Sequence, residues 1–267
     1  MRKFKISVLL KLGFYCLFLS IGLEMQARKF VHPGILHTTK SIERMRAQIA
    51  DKEYPAYGSF ELLKSHHCSQ ADYQPFGPFE IISRDGEFRH TKSKMEQDFS
   101  AVYQNALMWV LTGEKTHAEK SLELLLGYAG TLKRIPETND APLLVGLEGL
   151  KIIYATEILR HTYKKMTVVQ FNEISRMIRD NFYKRKPYTN GNWGPIVTKA
   201  YMAAAILWDN EEMYNKAVDF YLHANDNGTI AHYISGDTGQ IQESGRDQGH
   251  SMLGIGALAT VCEIAWQ

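Results

Sequence analysis

The sequence is short of almost every signal that announces a metal or a nucleotide. It has no CxxC, no HExxH and no GxxxxGK[ST], which removes the strong readings of those classes. Only three cysteines occur, Cys16, Cys68 and Cys262. Cys16 lies in an N-terminal leader, and Cys68 and Cys262 could form one disulfide, although spacing alone does not place them within bonding distance. Neither sign of charge is in excess: 31 basic and 29 acidic residues leave a net charge of +2. That gives no global reason to bind nucleic acid, so any attraction for anions has to be local. Strand-like alternation is scarce as well, "AHYISG" (231–236) being one short candidate for extended chain.

One long apolar run is present. "MRKFK" is a basic start, "ISVLLKLGFYCLFLSIGL" an apolar stretch, and "EMQA" ends on a small residue suited to cleavage. Residues 1–27 therefore read as a secretory signal cut near Ala27. Lys11 interrupts the run and no second one follows, so a lasting membrane span is not expected. Cys16 lacks the small-residue context of a lipid-attachment box. The expectation is a soluble periplasmic or secreted protein.

Residues 28–267 have no composition shift that would divide them, and they suffice for one large core. Helical periodicity dominates. In "DFSAVYQNALMWVLTG", Phe99, Val102, Tyr103, Ala106, Leu107, Val110 and Leu111 fall on one stripe, and Thr112-Gly113 stops it. Ala118, Leu122, Leu125, Leu126 and Ala129 repeat the pattern. Further helices are expected at about 144–163, 167–184, 195–208, 211–224 and 247–266. Short breakers such as "TGEK", "WDNEE" and "NDNG" make consecutive helices antiparallel neighbours. About nine helices give four to five hairpins, and no period near 34 residues points to tetratricopeptide repeats. The fold class expected is all-α, an (α/α)n toroid of antiparallel hairpins. Residues 66–93 resist this pattern, and a loop so long is usually functional or covering structure.

Two places gather chemistry. "PYTNGNWGPI" (187–196) has prolines and glycines that forbid a regular helix, and it leads into a helical "VTKAYMAAAIL". Asn190, Asn192 and Trp193 then sit in a shaped turn at a helix start, with Tyr188 just before. Helix capping accounts for an asparagine there, and Pro195 suits a first turn. The alternative is a carboxamide aimed at an anionic group, with Trp193 as a platform for a sugar ring. The second place is "ESGRDQGHSMLG" (243–254), which with Gln242 packs six kinds of polar side chain against an apolar helix. A helix starting near Arg246 puts His250 at the head of the stripe Leu253, Ala257, Val261, Ile264. That imidazole is a candidate general base. The bland reading has Asp247 compensating the helix dipole and Arg246 pairing with Glu243. A third stretch, 223–239, offers His232 and Tyr233, but turn chemistry explains most of it.

The chain resembles the alginate lyase superfamily of polysaccharide lyases. The resemblance lies in "HPGILHT" (32–38), "YQNALMWVLTGEKTHAEKSLELL" (103–125), "NGNWG" (190–194) and "GQIQESGRDQGHSMLGIGALATVCEIAWQ" (239–267). It implies an α/α toroid and β-elimination at a uronic acid in an anionic polysaccharide, with no metal or organic cofactor required. It also implies roles. Asn192 and Arg246 would neutralise the uronate carboxylate, His250 would help or act as base, and Trp193, Asn190, Gln242, Glu243, Tyr188 and Tyr233 would bind substrate. Two departures stand out. The better-known alginate lyase branch has histidine directly after the asparagine, where this chain has Trp193. That branch also has a tyrosine within two or three turns after its arginine, but no tyrosine follows Tyr233 here, leaving Tyr188, Tyr201 and Tyr233 as substitutes.

The sequence ends in an apolar helical run, "CEIAWQ", and a closed ring of six or seven hairpins would need more chain. That predicts C-terminal truncation, with Leu258, Val261 and Ile264 exposed for want of partner helices. Two rival functions remain open. A toroid glycoside hydrolase would need a carboxyl pair, for which Glu243 with Asp247 or Asp237 is available. A non-catalytic periplasmic glycan-binding protein would use the same cluster without turnover.

Overall fold

A computed structural model describes residues 30–183 and 189–267. Tyr188 and residues 1–27, expected to be a signal segment, lie outside the described residues. Nine helices of eight residues or more are described: α1 (Thr39–Ala50), α2 (Ala56–Ser65), α3 (Lys92–Thr112), α4 (Lys115–Thr131), α5 (Leu150–Thr162), α6 (Val168–Phe182), α7 (Trp193–Leu207), α8 (Glu211–His223) and α9 (Gln248–Trp266). No helix among the described residues is long and apolar enough to cross a membrane.

The helices form a hairpin array of the α/α toroid type. α3, α5, α7 and α9 pack side by side in that order, and α4, α6 and α8 pack as their partners. Tight turns make each pair antiparallel: α3 ends on Gly113 in the left-handed region (φ 79°), and α4 begins two residues later. Alternation then makes α3, α5, α7 and α9 run the same way. Their N-termini share one end of the array and their C-termini the other.

The core explains the order. α7 is buried almost all round, from Gly194 to Leu207 with only Lys199 half-exposed, because neighbours flank it on every side. Its close approach to the segment before α5 depends on Gly146, where a Cβ would lie 2.8 Å from the Ile196 carbonyl oxygen. Gly146 belongs to a π-turn (Val145–Gly149) that opens α5.

Several expectations need correction. Leu258, Val261 and Ile264 are buried, at 4%, 1% and 2% exposure, with α9 packed along α7. The exposed large apolar residues of α9 are Met252, Ile255 and Trp266 instead. Cys68 and Cys262 are both free, one buried and one exposed, so they are not paired. "AHYISG" is not a strand: Ile230–Tyr233 is a helical turn, and only Ile234 makes an isolated antiparallel bridge, to Ile241.

Residues 66–93 are covering structure held by buried polar anchors. The Asp98 carboxylate accepts hydrogen bonds from the Tyr73 hydroxyl (2.8 Å), the Tyr128 hydroxyl (2.7 Å) and the backbone N–H groups of Phe76 and Gly77 (2.9 Å each). Asn105 donates to the Cys68 carbonyl at 3.0 Å. Two carboxyl oxygens thus do the work that secondary structure does elsewhere.

Candidate active site

Asn192 occupies the N-cap position of α7, yet its side chain makes no capping bond. The residue is only 4% exposed, and its Nδ2 is buried without a protein acceptor. Buried amides almost always find a partner, and this one has none among the described residues. Capping therefore does not account for this asparagine. Gly191 precedes it in the left-handed region (φ 57°), and its N–H donates to the Asn227 side chain at 2.7 Å. Asn190 is exposed and Trp193 is half-buried.

α9 begins two residues later than Arg246, at Gln248, with Asp247 as N-cap. Asp247 is more than a cap. One carboxyl oxygen accepts the His250 backbone N–H at 2.8 Å, and the other sits 2.6 Å from the His250 ring Nδ1. These two bonds, the backbone one first, hold the Asp247 carboxyl below the usual aspartate range. A carboxylate can only accept, so in this contact the ring Nδ1 carries the hydrogen and donates to Asp247. The sequence reading gave Asp247 a dipole role, or a place in a hydrolase carboxyl pair, and missed this pairing with His250; a carboxylate three residues before a histidine at a helix start was its signal. His250 heads the buried stripe of α9 and its side chain is 39% exposed, so it is open to solvent.

Arg246 is 57% exposed and pairs with Glu243 at 3.2 Å, reaching Asp247 at 3.9 Å. Glu243 is itself largely buried. Gln242 is exposed and donates to the His232 carbonyl at 2.9 Å.

How do the two helix starts stand to each other? Along α7 and α9, Ile206 shares a cavity wall with Ile264 and Ala265, and Met202 shares another with Val261 and Cys262. The helices therefore run parallel, with the starts of both, and so Asn192 and His250, toward the same end of the array. The connecting segment lies across both. Gly194 meets Gly228 backbone to backbone, where a Cβ on Gly194 would sit 2.7 Å from the Gly228 Cα. Further on, the Tyr233 ring fills the space left by Gly254 on α9.

That contact corrects one assignment. Tyr233 is fully buried, and its hydroxyl has no partner. Burial first, and then the Glu243 charge, raise its pKa. It is a core residue in this structure, not a side chain offered to a sugar. Tyr201 is also buried, edge-on to Tyr183.

The starts of α7 and α9 thus carry a buried carboxamide, a guanidinium and a carboxylate-held imidazole at one end of an array of the α/α toroid type. The Alginate lyase family model matches residues 63–267, and the chain belongs to that family. It is a polysaccharide lyase. A search of curated proteins gave no match.

Proposed function

We propose that the chain cleaves a polyuronate, alginate foremost, by β-elimination at the α7/α9 end of the toroid. The observation that supports this reading is the buried Nδ2 of Asn192, unpartnered among the described residues, toward the same end of the array as an imidazole whose Nδ1 is held by Asp247.

The C5 proton of a uronate is poorly acidic while the adjacent carboxylate is fully charged. The Asn192 amide and the Arg246 guanidinium donate to that carboxylate and to the enediolate that develops from it, an oxyanion-type task. The Nε2 of His250 takes the C5 proton, and Asp247 stabilises the imidazolium that forms. The electron pair left at C5 makes the C4–C5 double bond as the C4–O4 bond breaks. Where the C5 hydrogen and O4 lie on one face of the ring, the same imidazolium returns its proton to O4. Proton and electrons then balance without a second acid. Trp193 and Asn190 flank the carboxylate site as sugar contacts. The signal segment supports a substrate met outside the cytoplasm.

A hydrolase reading is weaker. It needs one free carboxylic acid and one free carboxylate, whereas a single guanidinium, that of Arg246, engages both Glu243 and Asp247. Incubating the protein with polymannuronate, polyguluronate and polyglucuronate tests the proposal. Elimination gives an unsaturated product that absorbs in the near ultraviolet. New reducing ends without that absorbance would establish hydrolysis, and binding without either would establish a glycan-binding protein.

A further inference from the structure

At the opposite end of the array, four polar side chains from three distant segments meet. His32 Nδ1 lies 2.6 Å from Glu157 Oε1, and His32 Nε2 lies 3.0 Å from Asp209 Oδ1. His161, one turn after Glu157 on α5, places its Nε2 3.6 Å from Glu157 Oε2. Glu157 is only 1% exposed, and its Oε1 also accepts the Gly34 N–H at 2.9 Å. Its Oε2 has no hydrogen-bond partner. The two imidazoles stack with centroids 4.5 Å apart.

We infer that His32 Nδ1, Glu157 and His161 Nε2 form a site for a zinc-type divalent cation. The three donor atoms lie within 4.8 Å of one another. Two neutral imidazoles and one carboxylate are the donor set that borderline-soft Zn²⁺ takes in tetrahedral geometry, with bonds of about 2.0–2.2 Å. Asp209 supplies what such sites have outside the ligands, a carboxylate accepting the second N–H of a ligating imidazole. Its backbone points the same way. Asp209 follows the end of α7 in the left-handed region (φ 51°), with its N–H on the Ile206 carbonyl and that of Asn210 on Ala205. Glycine ordinarily takes that place in a helix-ending motif of this kind; aspartate also adopts it readily, and here it sets its carboxylate 3.0 Å from His32 Nε2. Without metal, a proton bridges His32 Nδ1 and Glu157 Oε1. Zinc replaces it and that proton goes to solvent. The unpartnered Oε2 becomes the second carboxylate oxygen available to the ion. The site would tie the segment before α1 to α5 and to the α7–α8 turn, away from the elimination site.

A second group, His66, His67 and Cys68, also brings donor atoms together and has to be removed from the test. The full chain carrying His67→Ala and Cys68→Ser is stripped with chelator, loaded with Zn²⁺ and gel-filtered, and its zinc is measured. The same protein is titrated with Co²⁺ and followed by visible d–d absorption. We expect one zinc per chain, a higher melting temperature and cobalt bands of a four- or five-coordinate ion. His161→Gln, at a partly exposed side chain, should remove the zinc and the bands, and Asp209→Asn should weaken affinity by about 10–100-fold. Absence of zinc in the background protein would overturn the inference, as would full zinc retention in folded His161→Gln.

Discussion

The two ends of the array handle charge in opposite ways. At the N-terminal end of α7 and α9, Asn192 Nδ2 is buried with no acceptor, and His250 and Arg246 are substantially exposed. At the C-terminal end, His32 is wedged between two carboxylates, and the bond to Glu157 above all raises it to about 9. One end leaves an amide donor unpartnered among the described residues and an imidazole partly open to solvent, as the proposed binding site requires. The other sets its imidazole between two carboxylates and ties distant segments together, with only Glu157 Oε2 left over. On the proposed reading, the same residue types serve turnover or architecture according to whether the protein itself completes their partners.

That contrast can be broken by substitution at either end. The largest effect belongs to the imidazole: His250→Ala should lower turnover by about 10²–10⁴-fold, measured by ultraviolet absorbance, with an almost unchanged melting temperature. Arg246→Lys should come next. An ammonium cannot reproduce a two-pronged contact with a carboxylate, so turnover should fall while the fold stays intact. A methyl-esterified substrate, which needs no such neutralisation, should narrow the gap between variant and wild type.

At the far end the readout exchanges places. Glu157→Gln in chelator-treated protein leaves His32 without its main partner and should cost about 3–5 kcal/mol in denaturant unfolding. Turnover per folded molecule should hold. A large loss of turnover without loss of stability would erase the distinction between the ends.

Between the two lies His37, fully enclosed beside Tyr103, its ring 2.7 Å from that hydroxyl. Burial lowers its pKa to about 4. Below the ordinary value of about 6.5 the unfolded chain takes up a proton that the folded chain refuses until about pH 4. Stability should therefore fall as pH drops through that window, by up to about 3 kcal/mol. His37→Gln should flatten that slope in pH-dependent melts. An acid loss of activity is then separable from unfolding. The smallest effect is expected of Asp247→Asn. Asparagine still caps a helix, so stability should hold while turnover falls by less than in His250→Ala.

Most of the architecture was legible because it rests on local periodicity. The stripe of Phe99 to Leu111 became α3, with Gly113 as its left-handed stop, and the apolar run after His250 became the helix α9. The places of Asn192 and His250 at neighbouring helix starts were legible for the same reason. What was not legible depends on tertiary contact. Tyr233 reads as an exposed loop residue until Gly254, twenty-one positions on, is seen to make room for its ring. The burial of Leu258 and Val261 depends on how closely α9 lies along α7. The His32, Glu157 and Asp209 cluster joins residues up to 177 positions apart, and only the Glu157–His161 spacing of four could have hinted at it.

The central claim is that Asn192 and His250 act in one site although they start different helices. Turnover of Asn192→Ala, of His250→Ala and of the double variant, measured by ultraviolet absorbance on the same polyuronate, tests it most directly. Groups that act as a unit lose most of their effect with the first removal. The account predicts that the folded double variant falls to about the floor of the weaker single variant. A double variant whose loss equals the product of the two single losses would contradict a shared site.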